Sequence, residues 1–179
     1  MHIQYSLKIA GLTRVLPIIH LNEKLSIASF VVLGDAELIQ ATAPLLVSKL
    51  PDVDLLVGAE AKGIPLLQEM SRLMSFSRYV VVRKSIKAYM QDAMVDAVQS
   101  ITTTSEQIMV LDRFDVDHIK GKRIAIIDDV ISTGASLATM ERLVEQAGGI
   151  VVARATILAE GDAALREDII FLEKLPIFD

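Results

Sequence analysis

The run Arg123-Ile-Ala-Ile-Ile-Asp128-Asp129-Val-Ile-Ser132-Thr133-Gly134-Ala135-Ser136 concentrates most of the chemistry in this chain. An apolar stretch ends in two acids, and a small, hydroxyl-rich turn then opens a helical pattern. Backbone N–H groups and hydroxyls beside a helix N-terminus suit a phosphate monoester. Gly134 lets the backbone approach the anion closely. Two adjacent carboxylates beside such a cradle repel the ligand unless they bind hydroxyls. A sugar phosphate satisfies both needs, with vicinal hydroxyls for the acids and a 5′-phosphate for the turn. No Gly-Lys-Ser/Thr closes a glycine loop, and GxGxxG is missing, so nucleotide cradles of those two kinds are excluded.

Two further groups could act on the same ligand. Gly58-Ala59-Glu60-Ala61-Lys62-Gly63 stands between an apolar run and a helical pattern. Taken alone, it is a strand–helix turn with a solvated lysine. Val80-Val-Val-Arg83-Lys84, with Lys87 close behind, places cations at the end of another apolar run. His2, His20 and His118 are scattered and lack metal-ligand spacing.

The elements that must position these groups alternate along the chain. Val53 to Val57, Tyr79 to Val82, Ile124 to Ile127 and Ile150 to Leu158 read as buried strands. Asp35 to Leu50 and Ile64 to Met74 read as helices, the latter with Pro65 in its first turn. Leu137, Met140, Val144 and Ala147 mark another helix, closed by Gly148-Gly149. Repeated strand–helix–strand units predict an α/β fold with an open, mostly parallel sheet flanked by helices. In such a sheet ligands sit at the carboxyl ends of the strands, where all three groups lie. Residues 1 to 33 read as short strands outside this repeat. The polar, Met-rich stretch from Lys84 to Thr104 lacks clear caps and reads as a flap or a loop.

The strand, acid pair and Thr-Gly turn resemble the PRPP-binding signature of the type I phosphoribosyltransferases. The match is good over about residues 35 to 159 and looser at the ends. The resemblance implies one domain over residues 1–179, with 35–159 as core. Segments 1–34 and 160–179 would form a small hood over the base. It also implies that Asp128 and Asp129 fix the ribose hydroxyls, directly or through Mg²⁺, while Ser132, Thr133, Gly134, Ala135 and Ser136 hold the 5′-phosphate. Glu60, Ala61, Lys62 and Gly63 correspond to the pyrophosphate loop, which adenine-type members write Glu-small-Arg-Gly. Lys62 keeps the charge of that arginine but not its bidentate fork. Arg83, Lys84 and Lys87 correspond to a pyrophosphate clamp, with Lys84 joining the acids in catalysis. The stretch after them is a flexible catalytic loop that closes with Tyr89. Phe30 and Glu160 are the base-facing candidates.

One departure counts. Adenine-type members carry Glu-Tyr-Gly beyond the flap, where this chain has Ser100-Ile-Thr-Thr-Thr-Ser105, with Glu106 after it. The implied activity is that of a purine phosphoribosyltransferase of purine salvage, adenine being the leading base. Hypoxanthine-, xanthine- or orotate-type enzymes stay open, with Arg14 as the one cation available for an orotate carboxylate. A non-catalytic PRPP-binding regulator also stays open.

Composition narrows the rest. Among 179 residues there are 18 Lys+Arg against 23 Asp+Glu, a net charge of -5, which argues against a nucleic-acid partner. Absence of cysteine excludes a disulfide framework, a thiolate metal site and a cysteine nucleophile. No apolar run reaches the roughly 20 residues of a membrane span. Lys8 and Arg14 interrupt any signal-peptide core. The expectation is a cytoplasmic enzyme, homodimeric like its family. It takes PRPP and a base as partners and uses Mg²⁺.

Overall fold

The computed structural model describes residues 4–23, 25–98 and 107–178. Three antiparallel strands come first: β1 (Gln4–Ile9), β2 (Leu12–Asn22) and β3 (Leu25–Ala28). Helix α1 (Ala36–Val47) follows. The Asp35 carboxylate caps it, accepting the Leu38 N–H at 3.1 Å. Next come β4 (Leu55–Ala59), α2 (Ile64–Leu73) and β5 (Val80–Val82). A two-stranded antiparallel ribbon of β6 (Met94–Val98) and β7 (Gln107–Leu111) leads to the short α3 (Arg113–Ile119). The chain continues through β8 (Arg123–Ile131), α4 (Ala135–Gln146) and β9 (Ile150–Glu160). It finishes with β10 (Ile170–Leu175) and β11 (Ile177–Phe178).

The main sheet has the order β10-β9-β8-β4-β5, and every neighbouring pair in it is parallel. From β4 the chain moves outward to β5, then returns to place β8 on the other side of β4. The order therefore reverses between β4 and β8, and a crevice opens at their carboxyl ends. A second sheet, β1-β2-β3-β11, joins the two ends of the chain. Of the carboxyl-terminal stretch expected in the hood, Ile170–Leu175 runs in the main sheet and Ile177–Phe178 in the small one.

Both faces of the main sheet are covered, so its strands are apolar almost throughout. Successive side chains alternate between two cores. Leu56, Ala125 and Ile127 pack with α1, α2 and the small sheet. Leu55, Val57, Ile124 and Ile126 pack with Leu137, Met140, Leu143 and Val144 of α4. Helix α4 ends in a Schellman turn: the Gly149 N–H reaches Val144 O at 2.9 Å, and the Gly148 N–H reaches Glu145 O at 2.9 Å.

The stretch from Lys84 to Thr104 is more ordered than expected up to Val98, because Met94–Val98 is a strand. Its inward residues are Met94, Asp96 and Val98. The charge at the middle inward position hides the apolar alternation. Asp96 is satisfied by Arg142 of α4 at 2.7 Å. Residues 99–106, including Ser100 to Glu106, lie outside the described residues.

Candidate active site

Two loops meet at the β4/β8 crevice. The first is Glu60–Gly63, between β4 and α2, where the Glu60–Ala61 peptide is cis. The second runs from the acid pair on β8 through Ser132–Gly134 into α4. They are in near contact: a Cβ on Gly63 would lie 3.6 Å from Asp128 Oδ1. Between them is a cleft of about 250 Å³. Ala59, Glu60, Ala61, Lys62 and Lys84 line one side; Asp128, Asp129, Val130, Ser132 and Ser136 line the other. Met109 of β7 also lines it. An adjoining recess of about 140 Å³ is formed by Asp128 and the turn from Ser132 to Leu137.

Both loops feed a helix through glycine, Gly63 for α2 and Gly134 for α4. No side chain among the described residues caps either helix. At α4 the first backbone N–H groups thus meet the recess with little competition, whereas at α2 Pro65 has no N–H and the Ile64 N–H bonds Ala61 O at 3.3 Å. The closest side-chain oxygen, Thr133 Oγ1, is 3.4 Å from the Ala135 N–H, long for a hydrogen bond. Gly134 has φ +81°, in the left-handed region that glycine adopts without steric cost.

The acid pair is electrostatically loaded. Burial pushes the Asp128 carboxyl above the usual carboxylate range, the negative charge of Asp129 adds to this, and Lys84 opposes it. Asp128 Oδ1 accepts the Asp129 N–H at 2.9 Å. Asp129 is 5% exposed, and its Oδ2 is buried with no hydrogen-bond partner among the described residues. Such an oxygen requires a hydroxyl or a cation.

Glu60 has a different part from the one its loop suggests. It accepts the Lys84 N–H at 2.6 Å and pairs with Arg83 Nε at 2.8 Å. These contacts, the Lys84 N–H first, hold its carboxyl below the usual range. A carboxylate so engaged orients the clamp and does not itself attract an anion. Arg83 is held by Glu60, by Tyr89 Oη at 3.0 Å and by a backbone bridge to Val110. Of that clamp, Lys84 lines the cleft; Arg83 and Lys87 do not, and Lys87 Nζ bonds Ser85 Oγ at 2.5 Å.

Other candidates lie elsewhere. Phe30, expected to stack on a base, is 6% exposed within the core beneath the small sheet, where an apolar ring is best placed. Glu160 ends β9 opposite Leu175 of β10 and lines neither the cleft nor the recess. Arg14 is fully engaged, with Nε 2.7 Å from Asp35 Oδ2 and Nη2 2.7 Å from Glu37 Oε2. His20 bonds Ser26, His118 faces Phe114 O, and His2 lies outside the described residues. Sequence reasoning passed over Met109, which the apolar run Gln107–Leu111 signals.

An acid pair at the switch point of an open parallel sheet, beside the amino terminus of a helix, places this chain among the α/β proteins that bind ligands at the carboxyl ends of their strands. The chain matches the phosphoribosyl transferase domain over residues 41–176. It is 34% identical over 133 residues to the adenine phosphoribosyltransferase of Clostridium botulinum, covering 70% of this chain and 71% of that one. The hypoxanthine/guanine phosphoribosyltransferase of Ferroglobus placidus is 36% identical over 114 residues, 63% of this chain and 56% of that one. The crystal structure of adenine phosphoribosyltransferase from Rhodothermus marinus matches with a TM-score of 0.63 and 27% identity, covering 79% and 81% of the two chains. The chain belongs to the phosphoribosyl transferase family and is a transferase.

Proposed function

We propose that the protein converts a purine base and PRPP to the nucleoside 5′-monophosphate and pyrophosphate, with adenine as the first base to test. The observation that carries this reading is the cleft and adjoining recess at the β4/β8 switch point, where Asp128 lines both, the Glu60–Lys62 loop the first and the Ser132–Ser136 turn the second. The turn takes the 5′-phosphate and the acids take the ribose hydroxyls. The N–H groups of Ala61, Lys62 and Gly63, with the Lys62 and Lys84 side chains, take the diphosphate. As the C1′–O bond to diphosphate breaks, positive charge grows on the ribose and negative charge on the leaving group. The base nitrogen attacks C1′ with inversion. The acid pair lies beside the first charge and the two lysines beside the second, so stabilisation is mainly electrostatic and positional.

Mg²⁺ fits Asp129 Oδ2, a hard oxygen donor with no hydrogen-bond partner among the described residues. No group of three or more metal-ligating side chains occurs among the described residues, so the ion would share its oxygens with PRPP. When bound, it would spread the diphosphate charge.

Purines are favoured over orotate because Arg14, the one cation named for an orotate carboxylate, is neutralised by Asp35 and Glu37. The two curated relatives named above, one for adenine and one for hypoxanthine and guanine, support the same choice. We further infer a cytoplasmic homodimer, on the family resemblance. No helix among the described residues is long and apolar enough to cross a membrane. Magnesium-dependent pyrophosphate release from PRPP with adenine, hypoxanthine, guanine, xanthine and orotate tests the whole reading. Release with adenine and silence with orotate are expected. Silence with every base would leave a PRPP-binding regulator in its place.

A further inference from the structure

The recess at the phosphate turn has an imbalance. Its lining includes the Asp128 carboxylate and no basic side chain among the described residues. A phosphate dianion placed there would meet helix N–H groups and hydroxyls on one side and a carboxylate on the other. A guanidinium from about 30 residues downstream reaches the turn through the fold alone. A Cβ built on Gly134 would lie 2.7 Å from Arg166 Nη1, so that guanidinium is packed against the turn. Arg166 Nε and Nη2 are committed to Asp168 at 2.9 and 2.7 Å. The planar fork is therefore fixed, with Nη1 directed at Gly134. Asp168 is itself tied back: Arg154 Nε of β9 is 3.9 Å from Asp168 Oδ2 and also pairs with Glu141 of α4. The pairs link β9, α4 and the loop after the Gly161–Leu165 turn behind the cradle.

We propose that Arg166 is a positioning residue for the phosphate turn, packed on Gly134 so that the N–H groups following it keep their direction. This rests on the reading of the turn as the 5′-phosphate site. Arg166 lines neither the recess nor the cleft and acts through Gly134, so its effect belongs to binding of the phosphate end and not to departure of the diphosphate. Asp168 sets its orientation, and loss of that carboxylate should weaken the effect without abolishing it.

The test separates the two ends of the substrate. Arg166→Gln should raise the KM for PRPP about tenfold and leave kcat within about twofold. Arg166→Lys should recover part of the loss, and Asp168→Asn should show a smaller rise in KM. Ribose 5-phosphate, which carries only the phosphate end, should bind Arg166→Gln about tenfold more weakly in calorimetry. Inorganic pyrophosphate should inhibit it as it inhibits the wild type. Unchanged ribose 5-phosphate binding would overturn the proposal. So would equal losses for ribose 5-phosphate and pyrophosphate, which would mean a general disturbance of the site. Calorimetry needs no turnover, so Arg166 is judged even where no base is accepted. Wild-type protein that releases no pyrophosphate and binds no ribose 5-phosphate would instead remove the reading on which the proposal rests.

Discussion

Helices α2 and α4 both begin at a glycine and are furnished differently. Each stands at the carboxyl end of a central parallel strand, with no capping side chain among the described residues. Around α2 two cations, Lys62 and Lys84, line the cleft together with the Glu60 carboxylate, whose charge is met by Arg83. Around α4 the lining is hydroxyl and carboxylate, from Ser132, Thr133, Ser136 and Asp128. The difference follows the chemistry each end is proposed to serve. A phosphate monoester keeps its charge through the reaction, so dipoles and hydroxyls set once are sufficient for it. A departing diphosphate gains charge in the transition state, and cations placed there are worth most at that moment. The acid pair lies between the two and belongs to both.

The severest way to break this contrast is to remove the shared element. Asp128→Asn combined with Asp129→Asn should lower pyrophosphate release from PRPP and base on the order of 10³-fold. Inorganic pyrophosphate should still bind near α2. A double variant with wild-type turnover would mean that the acids are structural and the contrast is accidental.

What was legible in the sequence follows the same division. The α4 side is contiguous: strand, acids, turn and helix occupy Arg123 to Gln146, so their spacing alone announces the site. The Glu60–Gly63 loop is contiguous too. Its clamp is not, because Glu60 reaches Arg83 and Lys84 only once β4 and β5 pair, and nothing local marks that carboxylate as an organiser of cations. Strand β6 was hidden because its inward Asp96 has its partner, Arg142, on α4. Phe30 looked available for a base only while the core beneath the small sheet was unseen. The strand order was out of reach for a general reason: parallel strands are joined by long crossovers, and local patterns do not encode which strands become neighbours.

A narrower substitution sharpens the comparison on the α2 side alone. Glu60→Gln retains an acceptor for the Lys84 N–H but loses the charge that pairs with Arg83. The expected result is a fall of about tenfold in kcat/KM, with weaker inhibition by pyrophosphate and unchanged binding of ribose 5-phosphate. This is the mirror image of the pattern expected for Arg166→Gln. Equal loss of both ligands would show that the two cradles are one mechanical unit and not two furnished separately.

The smallest effect concerns the acid pair before ligand arrives. Burial raises the affinity of Asp128 for its proton above that of an ordinary aspartate, so between its unfolded and folded pKa values the native state binds more proton than the unfolded chain. Stability from this group is therefore complete below the ordinary aspartate range and declines as pH rises toward the raised folded value. Glu60 and Asp96, whose carboxyls are held low by their partners, act in the opposite sense: their contributions are present at neutral pH and fade as pH falls through their folded values. Asp128→Asn removes the first slope and leaves the others. Its melting temperature should exceed that of the ligand-free wild type by about 2–4 °C near pH 8, for roughly 1 kcal/mol, and the gap should close toward pH 4. A gap independent of pH would mean that the substitution acts through packing. Saturating ribose 5-phosphate should narrow the gap at high pH, because its hydroxyls give the wild-type carboxylates partners that Asp129 Oδ2 does not find among the described residues.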